Sequence, residues 1–352
     1  MTHHKLIDVA WNEAASYLLQ PGGDQAVSIA KMIKRGDPLR KLVGVLLRSE
    51  QNFNSVVYDE ILTVNSYAEL PAHLTIIPTG ASSTEALLVE RDVILGHITM
   101  SRNVLAVYDK NKFLAICHQE NLPIPITYSA VKDIPLDAYP IFYKQAYEKG
   151  GGIRGIAYSV KDVPAHIEGT LIFQEYINSV GTYGVGFLAD KGRVLVTHLH
   201  FERESYPKSG GSAVIIETVD APELLDLTKR IVSALDYSGW GLAEFKYNPN
   251  SKKYVFMEVN AKFWASCCFA FENEPAFPKY LFNVGNAPKK IQRQFFINRG
   301  FARGLFFMLR YLLVIMRSER VYYPGLARDF VRGFAPEFAL QFVRKMRART
   351  IN

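Results

Sequence analysis

Helical and extended patterns alternate along this chain of 352 residues, which predicts an α/β fold. Two observations carry that prediction. Over the first hundred residues, amphipathic helical stretches interleave with short runs of buried-type apolar residues. Beyond about residue 140, the apolar runs are separated by tight Gly-, Pro- and Asn-bearing turns, as in antiparallel pairs.

Taken in order, residues 25–34 predict a short amphipathic helix, 42–47 a buried strand and 56–64 another strand. Residues 74–78 predict a strand entering Thr79-Gly80-Ala81-Ser82-Ser83-Thr84, with a helix over 85–91 capped by Ser82 or Ser83. That loop could also touch a phosphate or a substrate. Together these parts fit a small Rossmann-like unit over residues 1–103, although no long first strand with a glycine turn is evident. Residues 109–121 predict a helix that opens on Asp109-Lys110 and stops before Leu122-Pro123-Ile124-Pro125, where proline forces extended backbone. Strands are then expected over 139–144, 156–160 and 170–177, a hairpin over 183–200 around Asp190-Lys191-Gly192, and an amphipathic helix over 222–235.

Composition narrows the function classes. A hydrophobic share of 49% with 21% charged residues is that of a folded globular chain. Cys117, Cys267 and Cys268 have no metal-ligand or redox spacing, and residues 1–11 lack an apolar signal core, so a cytoplasmic setting is expected. The net charge of +7 is concentrated at one end. Residues 291–352 hold eleven Arg and one Lys against three acids, a net of +9, leaving −2 for the first 290 residues. The presumed catalytic part is therefore not basic, and no nucleic-acid partner is expected.

The most telling pattern is a hairpin. Glu244 and Lys246 alternate onto one strand face, Glu258 and Asn260 onto another, and 248–253 supply the turn between them. Two carboxylates and an amide oxygen suit a hard divalent cation that keeps waters and phosphate oxygens as its other ligands. The alternative is a polar face that only meets solvent. Upstream, Lys144 ends a strand and the loop Lys149-Gly150-Gly151-Gly152-Ile153-Arg154-Gly155 follows it. Glycines let backbone N–H groups close on phosphate oxygens, and the lysine adds a point charge. The loop lacks the Gly-Lys-Ser/Thr of a Walker motif and reads as a flap between antiparallel strands.

The order of these parts, from Asp109-Lys110 through Lys144, the glycine flap, Gln174-Glu175-Tyr176-Ile177, Glu244-Phe245-Lys246 and Glu258-Val259-Asn260, resembles the ATP-grasp superfamily over residues 104–266. The likeness is to its carboxylate–amine ligase-like branch, near biotin carboxylase and carbamoyl-phosphate synthetase. It implies an ATP-grasp domain over 104–290 with a lid at about 125–180. It further implies ATP and Mg²⁺ (or Mn²⁺) as cofactors, with small-molecule carboxylate and amine substrates. Lys110 and Lys144 would contact the nucleotide phosphates, and Gly150, Gly151, Gly152 and Gly155 would fold over them. Gln174, Glu175, Tyr176 and Ile177 would form the strand beside adenine and ribose, and Glu244, Glu258 and Asn260 would hold the metal. Arg203, His200, Ser212 and Lys262 would face the substrate carboxylate or its acyl phosphate. Relatives commonly carry arginine where this chain has Lys262, so either the substrate is held differently or Arg203 has taken over that function. The implied activity is ADP-forming ligation. Carboxylation, phosphoryl transfer and non-catalytic ATP binding are the alternatives.

Residues 291–352 predict a helical, basic extension. The apolar stretch 301–316 is interrupted by Arg303 and Arg310 and is shorter than the roughly twenty residues a membrane span needs. It is expected to be a core or subunit-contact helix, as in a homodimer. The alternative is that it lies on an anionic membrane's inner face together with 336–349 and the cluster Arg344, Lys345, Arg347 and Arg349.

Overall fold

The computed structural model describes residues 15–49, 57–149, 152–207, 211–285 and 287–322. The chain opens with β1 (Ala15–Leu19), α1 (Asp24–Gly36), β2 (Lys41–Leu47), β3 (Glu60–Val64), β4 (Ile76–Pro78) and α2 (Ala81–Glu90). The four strands form a parallel sheet in the order β3-β2-β1-β4.

Three sequence expectations are corrected here. A first strand does exist: β1 lies between β2 and β4 with all five residues buried, followed by Pro21-Gly22-Gly23 at the start of α1. The third strand begins only at Glu60, because Tyr58 turns in to donate its hydroxyl to the Pro21 carbonyl. Helix α2 starts at Ala81 with Gly80 as N-cap, and Ser83 Oγ accepts the Gly80 N–H at 3.2 Å. A Cβ at Gly80 would fall 2.2 Å from Gln20 Oε1, so any larger residue there would have to displace the end of the Gln20 side chain.

A short hairpin, β5 (Val93–Leu95) and β6 (Ile98–Met100), leads to α3 (Lys110–Gln119). Asp109 caps α3, its carboxylate accepting the N–H groups of Asn111 and Lys112. Next come β7 (Thr127–Tyr128), β8 (Ile141–Gln145), β9 (Arg154–Ala157) and β10 (Leu171–Glu175), an antiparallel sheet ordered β7-β10-β8-β9. This sheet has its own small core around Ile141, Ala157, Leu171 and Phe173.

The largest sheet then forms from β11 (Thr182–Asp190), β12 (Arg193–Tyr206) and β13 (Ser212–Thr218), followed by α4 (Pro222–Ala234), β14 (Gly239–Asn248) and β15 (Lys253–Asn260). Helices α5 (Cys267–Asn273) and α6 (Ala276–Phe282) precede β16 (Arg293–Phe296), α7 (Ile297–Ala302), α8 (Leu305–Arg310), α9 (Leu312–Met316) and β17 (Arg320–Tyr322). The strand order is β15-β14-β11-β12-β13-β16-β17. One hydrophobic cluster runs from Leu18 of the first sheet and Ile33 of α1 to Phe187, Trp240 and Phe271 in and against this one.

The expected helical extension from 291 is corrected as well, since β16 and β17 add to the large sheet. The apolar stretch 301–316 is broken at Gly304, whose φ of +96° ends one helix before the next begins. No helix among the described residues is long and apolar enough to cross a membrane. The predicted amphipathic segment 336–349 lies outside the described residues.

Candidate active site

Strand register builds the site in one line across the large sheet. Thr218 of β13 pairs with His200 of β12, His200 with Gly184 of β11, Gly184 with Glu244 of β14, and Glu244 with Glu258 of β15. The neighbouring line runs His198, Gly186, Leu242 and Asn260. Residues paired across a sheet share a face, so Glu244, Glu258 and His200 face one way. The two glycines make room above β11. A Cβ at Gly184 would sit 2.7 Å from the His200 ring, and one at Gly186 2.3 Å from the Trp264 indole.

Glu258 is the meeting point. Its Oε2 lies 3.2 Å from Lys110 Nζ, at the start of α3, and 3.3 Å from Lys144 Nζ, on β8. Both lysine side chains are only 6% exposed, against 18% for Glu258. Burial alone would raise the Glu258 pKa, but the two ammonium groups outweigh it and hold the carboxyl well below its usual range. Burial lowers the Lys144 pKa, against the pull of Glu258. Two mostly buried ammonium groups thus share one carboxylate oxygen, a local excess of positive charge that a bound polyanion would relieve.

Glu244 shows the opposite imbalance. It makes no hydrogen bond or ion pair among the described residues. Burial, followed by the negative charges of Glu258 and Glu202, raises its pKa to about 8. An under-compensated carboxylate beside a second carboxylate and the Asn260 amide is a fitting cradle for a divalent cation. Asn260 Nδ2 points to Glu258 Oε1 at 3.4 Å. Among the described residues no group of three or more His, Cys, Asp or Glu is clustered for a metal, so the fit rests on two acids and an amide.

The remaining expected residues fall as follows. Lys262 joins Lys110, Glu258, Asn260, Tyr108 and Ala81 around one narrow cavity, which places the N-terminus of α2 beside the site. Gly150 and Gly151 lie outside the described residues. The Gly152 N–H donates to Glu148 at 3.2 Å. Gly155 faces Tyr143, whose hydroxyl would lie 2.5 Å from an added Cβ, so a larger residue there would have to push the Tyr143 ring aside. Gln174 is buried, donating to Thr127 Oγ1 at 3.1 Å with its Oε1 unpartnered. Glu175 accepts from Asn248 at 3.1 Å and ties the end of β10 to that of β14. Ile177 is buried and Tyr176 partly exposed.

Arg203 is not brought to this site. A bulge follows Glu202, and the Arg203 guanidinium lies on Glu217 at 2.6 Å, on the sheet's opposite face beside Arg293. It does not replace the arginine that Lys262 lacks. Ser212, at the start of β13, pairs with Tyr206 at the far end of the strand pair, well along from His200.

Several neighbours escaped sequence reasoning. Glu202 sits 3.4 Å from His200 Nε2, and Ser266 Oγ lies 3.5 Å from the same nitrogen. Counting by two from His200 would have found Glu202. Lys246, by contrast, lies on the Glu244 face as strand alternation predicts, its pKa lowered by burial against the pull of Glu244 and Glu202. Glu85 of α2 reaches across to Lys149 and the Tyr147 hydroxyl at the base of the flap, a contact that no local pattern announces.

No family model and no curated protein sequence matches the chain. The architecture, however, is the ATP-grasp fold, shared with solved structures. Biotin carboxylase from Campylobacter jejuni, solved as a β-γ-ATP complex, superposes with a TM-score of 0.55 at 17% identity, covering 78% of this chain and 72% of that one. L-amino acid ligase from Bacillus licheniformis gives 0.55 at 13% identity, covering 75% and 71%. Pyruvate carboxylase from Rhizobium etli also gives 0.55 at 14% identity over 73% of this chain, which spans only 27% of that larger protein.

Proposed function

We propose that this chain is an ATP- and Mg²⁺-dependent ligase that activates a small carboxylate and couples it to an amine. The observation that carries the reading is the paired imbalance at Glu258 and Glu244. Two buried ammonium groups converge on a single carboxylate oxygen, while a second carboxylate alongside has no partner among the described residues. A triphosphate with a divalent cation supplies both missing charges, and the C. jejuni structure of the same fold is a β-γ-ATP complex.

Lys110 and Lys144 would hold the phosphates, and Glu244, Glu258 and Asn260 the Mg²⁺. The ion would supply positive charge against the oxygens that bear the transferred group's negative charge. In the proposed reaction a substrate carboxylate oxygen attacks the γ-phosphorus as the bond to ADP breaks. The amine nitrogen then attacks the activated carbonyl, phosphate leaves, and the nitrogen gives up a proton. The chain's own part is positioning and electrostatics. The lysines fix the phosphates, Lys262 and the start of α2 flank the cavity where the carboxylate would lie, and the lid strands carry Lys144 onto the sheet.

The test is ADP release from the purified protein with ATP, Mg²⁺ and panels of carboxylates and amines. Release that requires one member of each panel supports ligation. Release with bicarbonate, or with a single phosphate acceptor, would move the reading to carboxylation or phosphoryl transfer. Nucleotide binding without turnover in any pairing would favour a regulatory protein.

A further inference from the structure

On the side of the large sheet facing away from Glu244 and Glu258, α8 and α9 are apolar all round. Their inner residues, among them Phe307 and Val314, pack on Ile215 and Phe295. Their outer residues are exposed: Leu305 55%, Phe306 89%, Leu309 58%, Leu312 49%, Leu313 64% and Met316 72%. Positions 305, 309, 312 and 316 recur at helical spacing, so these side chains form one continuous stripe. Such a stripe does not fit a fully buried core helix; of the expected roles it suits a subunit contact or a membrane surface. Isolated exposed apolar residues are ordinary on a soluble protein, but six along one stripe mark an interaction surface.

The charge around the stripe selects the partner. A cleft of about 480 Å³ opens beside it, lined by Arg203, Arg293, Arg310 and Arg317 with Glu204 and Glu217. Both carboxylates are already satisfied: Glu217 by Arg203 and Arg293, Glu204 by Arg303 and the Tyr311 hydroxyl. Arg310 and Arg317, exposed and seven residues apart, make no ion pair among the described residues. Arg310 instead packs over the Tyr311 ring. The surrounding segment 291–352 carries a net +9. A second copy would bring the same positive charge against itself, whereas a bilayer rich in anionic headgroups meets the arginines while its acyl chains receive the apolar stripe.

We infer that the stripe formed by α8 and α9, flanked by Arg310 and Arg317, is a docking surface for an anionic phospholipid bilayer, with lipid phosphate seated at the arginine-lined cleft. The surface lies on the opposite side of the sheet from the nucleotide site, so the inference stands apart from the ligase reading.

The experiment is flotation of the purified full chain with vesicles of phosphatidylcholine alone or with phosphatidylglycerol added, at low and high salt. Binding to the phosphatidylglycerol vesicles that weakens with salt is the expected result. Replacing both rim arginines (R310E/R317E) is expected to lower partition roughly tenfold or more, since each basic residue near an anionic surface contributes separately. F306S/L313S is expected to remove binding at both salt concentrations. These positions are exposed, and R310Q/R317Q with an unchanged unfolding temperature serves as a second, milder variant. Soluble glycerol phosphate at millimolar concentration should not displace the protein from vesicles. No binding at low salt would overturn the inference, as would full binding by F306S/L313S. So would a wild-type dimer that F306S/L313S converts to monomer without any vesicle binding.

Discussion

On the face of the large sheet that carries Glu244 and Glu258, charge is left unbalanced, whereas Glu217 and Glu204, beside the arginine-lined cleft, each have their partners. Glu217 accepts from Arg203 at 2.6 Å and Arg293 at 2.7 Å, two cations around one carboxylate whose two oxygens are both used. Glu258 also has two cations, but they converge on one oxygen, and Glu244 next to it has none. Arginine's fork satisfies a carboxylate completely, while a lysine is a point charge that can turn to another anion. The lesson is that ion-pair composition alone does not separate a structural network from a site. The residue types and the uncompensated remainder do.

The sharpest way to break this comparison is at Glu258. E258Q leaves Lys110 and Lys144 facing a neutral amide, and K144M removes the charge that β8 brings to the large sheet. Each is expected to lower ADP formation by about 10²–10³-fold, the usual effect of deleting one preorganised electrostatic group. Nucleotide affinity measured by calorimetry should fall with K144M. Wild-type turnover by either variant would mean that the imbalance at Glu258 is incidental.

Glu244 gives the next largest effect and a pH signature. Its pKa is raised from 4.5 to about 8, so between those values the folded chain keeps a proton that the unfolded chain has released. Stability without ligand is then lost as pH rises through that window. E244Q should remove this slope, raising the unfolding temperature relative to wild type at pH 8.5 more than at pH 5. Turnover should fall about a hundredfold in the same variant. Cation binding to wild type should release a proton near neutral pH, detectable as a buffer-dependent heat. Identical pH profiles for the unfolding of the two proteins would show that Glu244 is not held protonated.

Much of this site was legible because it depends on short-range rules. Strand alternation and a turn at 248–253 suffice to set Glu244 against Glu258, and the register pairs them directly. The approach of Lys110 and Lys144 to one oxygen joins three elements far apart in sequence, so residue types could nominate the lysines without giving their geometry. β1 was missed because Ala15–Leu19 is buried on both faces of a parallel sheet and shows no alternation to read. Arg203 is a different case. Counting by two from His200 already sets it on the other face, and the bulge after Glu202 did not rescue it. Within the helical reading of 291–352, α7, α8 and α9 are helices but β16 and β17 were missed, since β16 is a strand only because β13 lies beside it.

A smaller effect should follow from the contact between α2 and the flap. Glu85 holds Lys149 and the Tyr147 hydroxyl, and it raises the Tyr147 pKa to about 12, first through their hydrogen bond. Lys149 is 46% exposed, so the ion pair is worth no more than about 1 kcal/mol. E85Q is therefore expected to change the KM for ATP by up to about fivefold with kcat nearly unchanged. A loss confined to kcat would instead place Glu85 in the chemistry.

The smallest functional effect is expected where the charges are closed off. Burial alone would raise the Glu217 pKa, but the Arg203 and Arg293 guanidinium groups hold it below its usual value. The stability this contributes is present above the ordinary carboxylate range and is lost as pH falls through the depressed value. E217Q should cost about 1 kcal/mol at pH 7, since Arg203 is partly exposed and solvent screens the pair, and should cost less as the pH falls. ADP formation should stay within about twofold of wild type, because Glu217 and Arg203 face away from the Glu258 line. A loss approaching that of E258Q would show that the two faces act together, and the distinction between a satisfied network and an open one would fail.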